Sequence, residues 1–188
     1  MDHIHMRDNF GRAGLGGCTD ALSICDVATG FRFCDPVDSK DADTTVTSMQ
    51  QLLGESTVGR VYSDNHPSLR AACQELCIAW EGPQPGIHQN NAIIERFNSD
   101  VLAGARALLV QAGLPSGLWP LAVQCYCHLE SASLQEKEGD PAGASPWFCR
   151  HAEHFPGMQI PFGAGVYYLP SEATSLPKPI LACGMVCL

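Results

Sequence analysis

The sequence predicts an α/β fold in which helices pack against a mixed sheet. A glycine-rich run is followed by two apolar runs joined by a tight turn, which is typical of antiparallel strands. Beyond them, short apolar runs alternate with amphipathic segments, as strands and helices do when they share one core. The chain has 188 residues, 45% of them hydrophobic. That is enough for one domain with a sizeable core.

Five strands are predicted. They cover residues 1–6, 21–27, 31–37, 58–62 and 77–80. The glycine-rich residues 8–19 form a long connection, and Ala28-Thr29-Gly30 forms the tight turn of a hairpin. The sequence therefore predicts a mixed sheet of five strands.

Four helices are predicted between and after these strands. They cover residues 38–54, 67–76, about 91–112 and 118–130. Ser39 or Asp41 can cap the first, Pro67 opens the second, and Asn90 or Asn91 can cap the third. Residues 1–131 thus form the predicted core, and residues 132–188 a linker and short irregular tail. Two short strands are predicted in that tail, around Ile160 and over residues 166–169.

Charge and composition exclude several classes of protein. Acidic residues outnumber lysine and arginine by 20 to 11, which gives a net charge of -9. Binding of nucleic acid by bulk positive charge is therefore not expected, while a site of carboxylates and a divalent cation remains open. No run reaches the ~18 apolar residues of a membrane span, and no signal-peptide core is visible. We expect an intracellular protein that is neither secreted nor in a membrane, with its ten cysteines reduced.

Three acidic residues stand out by their position. Asp2 lies in the first strand, Asp64 follows the end of a strand, and Glu95 lies in the first turn of the long helix. Ligands bind at the carboxyl edge of open sheets, and converging carboxylates repel one another unless a cation joins them. Magnesium suits such oxygen ligands, and two ions about 4 Å apart support phosphoryl transfer. The alternatives are solvated surface acids and, for Asp64, a local cap of the helix at Pro67.

A second cluster carries ligand types that suit zinc. Its members are Cys125, Cys127, His128, Cys149, His151 and His154. Their spacing does not match a common zinc finger. A helix that carries incidental cysteines, followed by a polar loop, is the alternative interpretation.

Five segments in order resemble one known family. They are Met1-Asp2-His3-Ile4, residues 26–41, Tyr62-Ser63-Asp64-Asn65, residues 90–98 and residues 105–123. Together they resemble the integrase catalytic core of copia-type retrotransposon polyproteins, which is a ribonuclease-H-like fold of the retroviral integrase kind. The resemblance covers residues 1–131, and the chain looks like a fragment of such a polyprotein.

The resemblance implies a catalytic triad of Asp2, Asp64 and Glu95 that holds two Mg²⁺ or Mn²⁺ ions. It implies removal of nucleotides from DNA 3′ ends and joining of those ends to target DNA. The implied partners are retroelement ends and target DNA, with a homodimer or higher oligomer in the nucleus. Asp8 and Asp20 compete with Asp2, because the glycine-rich insert obscures the register of the first strand.

The resemblance also suggests residues for DNA contact. They are Asn65, which could instead order the metal site, together with Asn90, Asn91 and Arg96. The family places lysines along the third-acid helix, whereas this helix offers Arg96 and Arg106. The sequence therefore leaves a second hypothesis open, a catalytically inactive ribonuclease-H-like relic that acts at most in nucleic-acid binding or dimerisation.

Overall fold

A computed structural model describes residues 1–54, 58–83, 92–133 and 144–165. The strands are β1 Asp2–His5, β2 Asp20–Cys25, β3 Arg32–Val37, β4 Arg60–Tyr62 and β5 Ala79–Glu81. The helices are α1 Ala42–Leu53, α2 Pro67–Glu75, α3 Ala92–Ala112, α4 Trp119–Ala132 and α5 Pro146–His151. The predicted order of elements is confirmed from β1 to α4.

The strands form two sheets rather than one. β1, β2 and β3 pair in antiparallel fashion in that order, and β4 pairs with β5 in parallel. The predicted single five-stranded sheet is therefore not confirmed. The Met1 nitrogen donates a hydrogen bond to the Tyr62 carbonyl oxygen at 2.9 Å. Because Met1 precedes β1 and Tyr62 ends the three-residue β4, the two strands overlap too little to form a ladder.

Helices cover both faces of the three-stranded sheet. Ala21 and Leu22 are neighbours on β2, point to opposite faces, and are both fully buried. The face with Ala21 packs against α3 and α4, in a core that includes Phe97 and Val123. The face with Leu22 packs against α1 and α2, in a core that includes Met49. The sheet thus lies between two apolar clusters.

Capping residues define the ends of the helices. Asp41 caps α1, and its Oδ1 accepts a hydrogen bond from the Thr44 backbone N–H at 2.7 Å. Pro67 occupies the first turn of α2, as predicted. Gly113 ends α3 with a φ of +65°, a conformation that favours glycine. The local signals for these three helices are therefore confirmed.

The segment predicted as an irregular tail contains a helix. Ser145 caps α5, because its Oγ accepts a hydrogen bond from the Phe148 backbone N–H at 3.1 Å. The strand predicted around Ile160 is wrong, since residues 152–165 contain no strand. The second predicted strand, over residues 166–169, lies outside the described residues. None of the helices in the described ranges is long and apolar enough to cross a membrane.

Candidate active site

Asp2 is held at the edge where β1 meets α3. Its Oδ1 accepts a hydrogen bond from the His3 backbone N–H at 2.7 Å, and its Oδ2 accepts one from the Asn98 side-chain amide at 2.8 Å. Burial raises the pKa of Asp2, and the negative charge of Asp64 raises it further. The charge of the second candidate acid therefore acts on the first.

Asn98 connects the first acid to the long helix. Its Oδ1 accepts a hydrogen bond from the Ser23 hydroxyl at 2.7 Å, and Ser23 is fully buried on β2. Asn98 thereby links β1, β2 and α3 in one polar network. The sequence interpretation gave Asn98 no role, although its spacing of three from Glu95 places both on one face of the helix.

Asp64 lies in a short loop between β4 and α2. Its Oδ1 accepts a hydrogen bond from the His66 backbone N–H at 3.2 Å. The preceding residue, Ser63, is fully buried and accepts a hydrogen bond from the Trp80 indole at 2.8 Å. The N-cap of α2 is His66, without a side-chain capping bond. The alternative in which Asp64 caps the helix at Pro67 is therefore wrong.

Glu95 lies in the first turn of α3 and is exposed. Residues three apart on a helix are neighbours, with Cβ atoms about 5–6 Å apart, so Glu95 lies one turn before Asn98. Asn98 in turn contacts Asp2. Among the described residues, however, no group of three or more His, Cys, Asp or Glu side chains is arranged to hold a metal ion. The structure thus joins Asp2 to the helix of Glu95 through Asn98 and leaves Glu95 itself exposed.

The two competitors for the first acid are engaged with basic side chains. Asp8 Oδ2 accepts a hydrogen bond from Arg12 Nε at 2.9 Å. Asp20 Oδ1 lies 2.9 Å from His5 Nδ1 and 3.0 Å from Lys40 Nζ. The side chain that holds Asp2, by contrast, is a neutral amide.

Two histidines form a ring pair: His3 lies on β1, and His66 lies two residues after Asp64. The His3 and His66 rings meet edge to face with centroids 5.5 Å apart, and His66 Nδ1 lies 2.7 Å from Ser68 Oγ. Burial, together with the neighbouring His66, lowers the pKa of His3 to about 4. His3 is therefore neutral at pH 7. The sequence interpretation missed this pair, although strand alternation places Asp2 and His3 on opposite faces.

The candidates for DNA contact have different positions. Asn65 follows Asp64 directly and is exposed, and Arg96 is exposed in the first turns of α3. Asn90 and Asn91 lie outside the described residues. The exposed positions of Asn65 and Arg96 are compatible with contact to a large ligand.

The proposed zinc ligands are packed into other contacts. Cys125 and Cys127 lie on the buried face of α4. His128 and His151 pack against the Trp147 ring, at centroid distances of 6.1 and 4.4 Å. The interpretation as a helix with incidental cysteines accounts for this arrangement.

No protein-family model matches the chain, and no curated protein matches it. Among solved structures, the chain is similar to the catalytic core domain of BIV integrase, with a TM-score of 0.53 and 18% sequence identity. The match covers 78% of this chain and 89% of that one. At this identity the likeness shows the fold, which is that of an integrase catalytic core.

Proposed function

We propose that this chain is an integrase-type domain from a retrotransposon polyprotein of the copia type, which cleaves and joins DNA phosphodiester bonds. The observation that carries the proposal is the 2.8 Å hydrogen bond from Asn98, on the helix that bears Glu95, to Asp2 on β1. This contact lies on a fold similar to an integrase catalytic core. The ordered sequence motifs around these three acids support the same assignment.

Carboxylate oxygens are the ligands that suit a divalent cation such as Mg²⁺. Burial and the neighbouring Asp64 both raise the pKa of Asp2, and a cation bound at this carboxylate would offset that effect. We propose that Asp2, Asp64 and Glu95 together hold Mg²⁺ or Mn²⁺, two ions in the active form. When bound, such ions supply Lewis-acid activation of a nucleophile and stabilise the departing oxygen.

The surrounding residues position these acids. Asn98 donates to one Asp2 oxygen and the His3 backbone N–H donates to the other, so each oxygen keeps a lone pair that can accept a cation. The His66 backbone N–H fixes one Asp64 oxygen in the same way. Because Glu95 is exposed in the first turn of α3, its side chain can swing toward the pair without disturbing the core.

We propose DNA as the substrate, at retroelement ends and at a target site. We propose that Arg96, which follows Glu95 and is exposed, pairs with phosphate oxygens of the DNA. Asn65 and, outside the described residues, Asn90 and Asn91 are proposed to contact the backbone. The net charge of -9 opposes long-range attraction of DNA. We further propose a homodimer or higher oligomer, as the family resemblance implies.

The test is a nicking assay with supercoiled DNA and Mn²⁺ at low salt. We expect cleavage by the chain, loss of cleavage in Asp64→Asn and Glu95→Gln, and unchanged cleavage in Glu75→Gln. Glu75 is a matched control, because it is an exposed acid at the far end of α2. Equal background cleavage from all four proteins would overturn the proposal.

A second function is favoured by two observations. The net charge is -9, and Glu95 is exposed and belongs to no arranged group of metal ligands in the described residues. Both observations suit a catalytically inactive relic that binds nucleic acid or dimerises. In that case the nicking assay gives equal background, while a shift of labelled DNA or a dimer in sedimentation persists in Glu95→Gln.

A further inference from the structure

Trp80 differs from the other two tryptophans of the chain in having a hydrogen-bond partner. Its Nε1 donates to Ser63 Oγ at 2.8 Å. The buried indole nitrogens of Trp119 and Trp147 have no partner in the part of the chain that the structure describes. Because a hydrogen-bonded indole is fixed in orientation, the bond holds Trp80 of β5 against the residue that precedes the second candidate acid.

Ser63 passes this contact on to the backbone of Asp64. Its hydroxyl accepts the bond from Trp80 and donates one to the Asp64 carbonyl oxygen at 3.0 Å. Since a hydroxyl that accepts one hydrogen bond donates more strongly, the two bonds reinforce each other. Ser63 is fully buried, and its backbone N–H donates to the Glu81 carbonyl oxygen at 3.2 Å. A chain of hydrogen bonds thus runs from β5 to the loop of the second acid.

The end of β5 also contacts this loop on the other side of Asp64. A Cβ placed on Gly82 would lie 3.0 Å from Asn65 Oδ1 and 2.5 Å from the Trp80 ring. Asn65 and Trp80 therefore both pack against the backbone of Gly82, which leaves no room for a side chain there. Ser63 and Asn65, the two neighbours of Asp64, are thus both held by the end of β5.

The direction of the Asp64 side chain depends mainly on its backbone. Its carboxylate accepts a hydrogen bond from the His66 backbone N–H at 3.2 Å, which is at the long end of the range for such bonds. The Asp2 carboxylate, by comparison, accepts two hydrogen bonds, at 2.7 and 2.8 Å. The contacts that hold the Asp64 backbone therefore decide where this carboxylate points.

We propose that Trp80 is a positioning residue for the metal site, acting through the Ser63 hydroxyl on the backbone of Asp64. The inference rests on the proposed function, because it gives Trp80 a part in the same site. Residues that orient a metal ligand typically change metal affinity by about 10–100-fold when they are altered. Trp80 reaches the ligand through one intervening side chain, so we expect an effect at the lower end of this range.

The test measures the affinity of the full chain for Mn²⁺ by electron paramagnetic resonance at pH 7. We expect Trp80→Phe, which keeps an aromatic ring but removes the N–H, to bind Mn²⁺ about tenfold more weakly. Ser63→Ala removes both hydrogen bonds and should weaken binding at least as much. The double variant should bind no more weakly than Ser63→Ala alone, because the two residues act in series.

Trp119→Phe is the matched control for loss of an indole. Trp119 is buried in the other apolar cluster, and its nitrogen has no hydrogen-bond partner among the described residues. The substitution is expected to lower Tm and to leave the Mn²⁺ affinity unchanged. Circular dichroism selects a temperature at which every variant is folded, so a loss of affinity in Trp80→Phe is not a loss of folded protein.

The indole resonance of Trp80 gives a second readout in the wild-type chain. In ¹H–¹⁵N spectra, the indole signal that disappears in Trp80→Phe identifies this residue. We expect this signal to shift saturably as Mg²⁺ is added, and to stay fixed in Asp64→Asn. The Trp119 signal should not move in either chain.

The outcomes separate this inference from the proposed function. If the wild type takes up no Mn²⁺, the proposed function fails and the role of Trp80 fails with it. If the wild type binds Mn²⁺ and Trp80→Phe binds it equally well, or if Trp119→Phe loses as much affinity, the metal site stands and the role of Trp80 is overturned. A double variant that loses the sum of the two single effects would overturn the action through Ser63.

Discussion

Replacing Asn98 by alanine tests the polar network that positions Asp2. The substitution removes the hydrogen bond from the amide to Asp2 Oδ2 and the one that the amide oxygen accepts from Ser23. Ser23 is fully buried, but its hydroxyl keeps the Asp2 carbonyl oxygen as an acceptor at 3.1 Å. Asp2 keeps the His3 backbone N–H. The cost therefore comes mainly from the lost bond to the carboxylate.

A hydrogen bond to a charged group contributes about 1.5–3 kcal/mol, so we expect Asn98→Ala to lower the free energy of unfolding by about 2 kcal/mol. For a chain of this length that corresponds to a fall in Tm of roughly 4–8 °C. Because Asn98 lowers the pKa of Asp2 against the effect of burial, its loss is expected to raise that pKa further.

Urea unfolding at pH 7, followed by circular dichroism, measures this difference. Ser99→Ala is the matched control, because Ser99 is exposed on the same helix, and it is expected to change stability by less than about 0.5 kcal/mol. Equal stability of Asn98→Ala and Ser99→Ala would refute the network. If Asn98→Ala loses the same amount of stability at low pH, where Asp2 is protonated, the hydrogen bond from Asn98 to Asp2 is not charge-assisted.

Three further predictions concern the core, the last helix and pH. Gly104→Ala should destabilise the chain by about 1–2 kcal/mol despite its better helix propensity, because the added Cβ meets the Tyr126 ring. Adding Tyr126→Leu to the Gly104→Ala chain should recover most of this loss in a double-mutant cycle. Arg150→Met should lower the free energy of unfolding in urea by about 2 kcal/mol, because this 13%-exposed side chain donates a hydrogen bond to the Leu52 carbonyl at the end of α1 at 2.8 Å. Arg106→Met, at an exposed position, should leave that free energy almost unchanged. Burial lowers the pKa of His3 from 6.5 to about 4, so the contribution of the neutral His3 to stability is complete above pH 6.5 and falls as the pH drops toward 4. His3→Gln should therefore flatten the curve of Tm against pH between these two values. An unchanged curve would contradict the burial of His3.

Local signals predicted most elements of the fold. The turn at Ala28-Thr29-Gly30, the cap at Asp41 and the proline at Pro67 act within a few residues, so the sequence shows them directly. Helix α5 carried equally local signals, Ser145 followed by Pro146, but the polar linker before it obscured them. The strand expected around Ile160 rested on a short apolar run alone, which no neighbouring strand pairs with in the described residues.

Contacts between distant segments could not be predicted in the same way. The split of the sheet depends on how far β1 and β4 overlap in space, which strand periodicity does not encode. The bond from Asn98 to Asp2 joins residues 96 positions apart, and only the packing of α3 on β2 brings them together. The three candidate acids followed from their motifs, but whether Glu95 turns inward is a rotamer choice that an exposed helix position leaves open.

Binding of Mn²⁺ tests the central claim, a shared carboxylate site, most directly. Electron paramagnetic resonance of Mn²⁺ titrated with the chain at pH 7 reports the bound fraction without any substrate. We predict saturable binding that is lost in Asp64→Asn, weakened at least tenfold in Glu95→Gln, and unchanged in Glu75→Gln. If the chain takes up no Mn²⁺, or if all three variants bind it like the wild type, the three acids do not form a metal site.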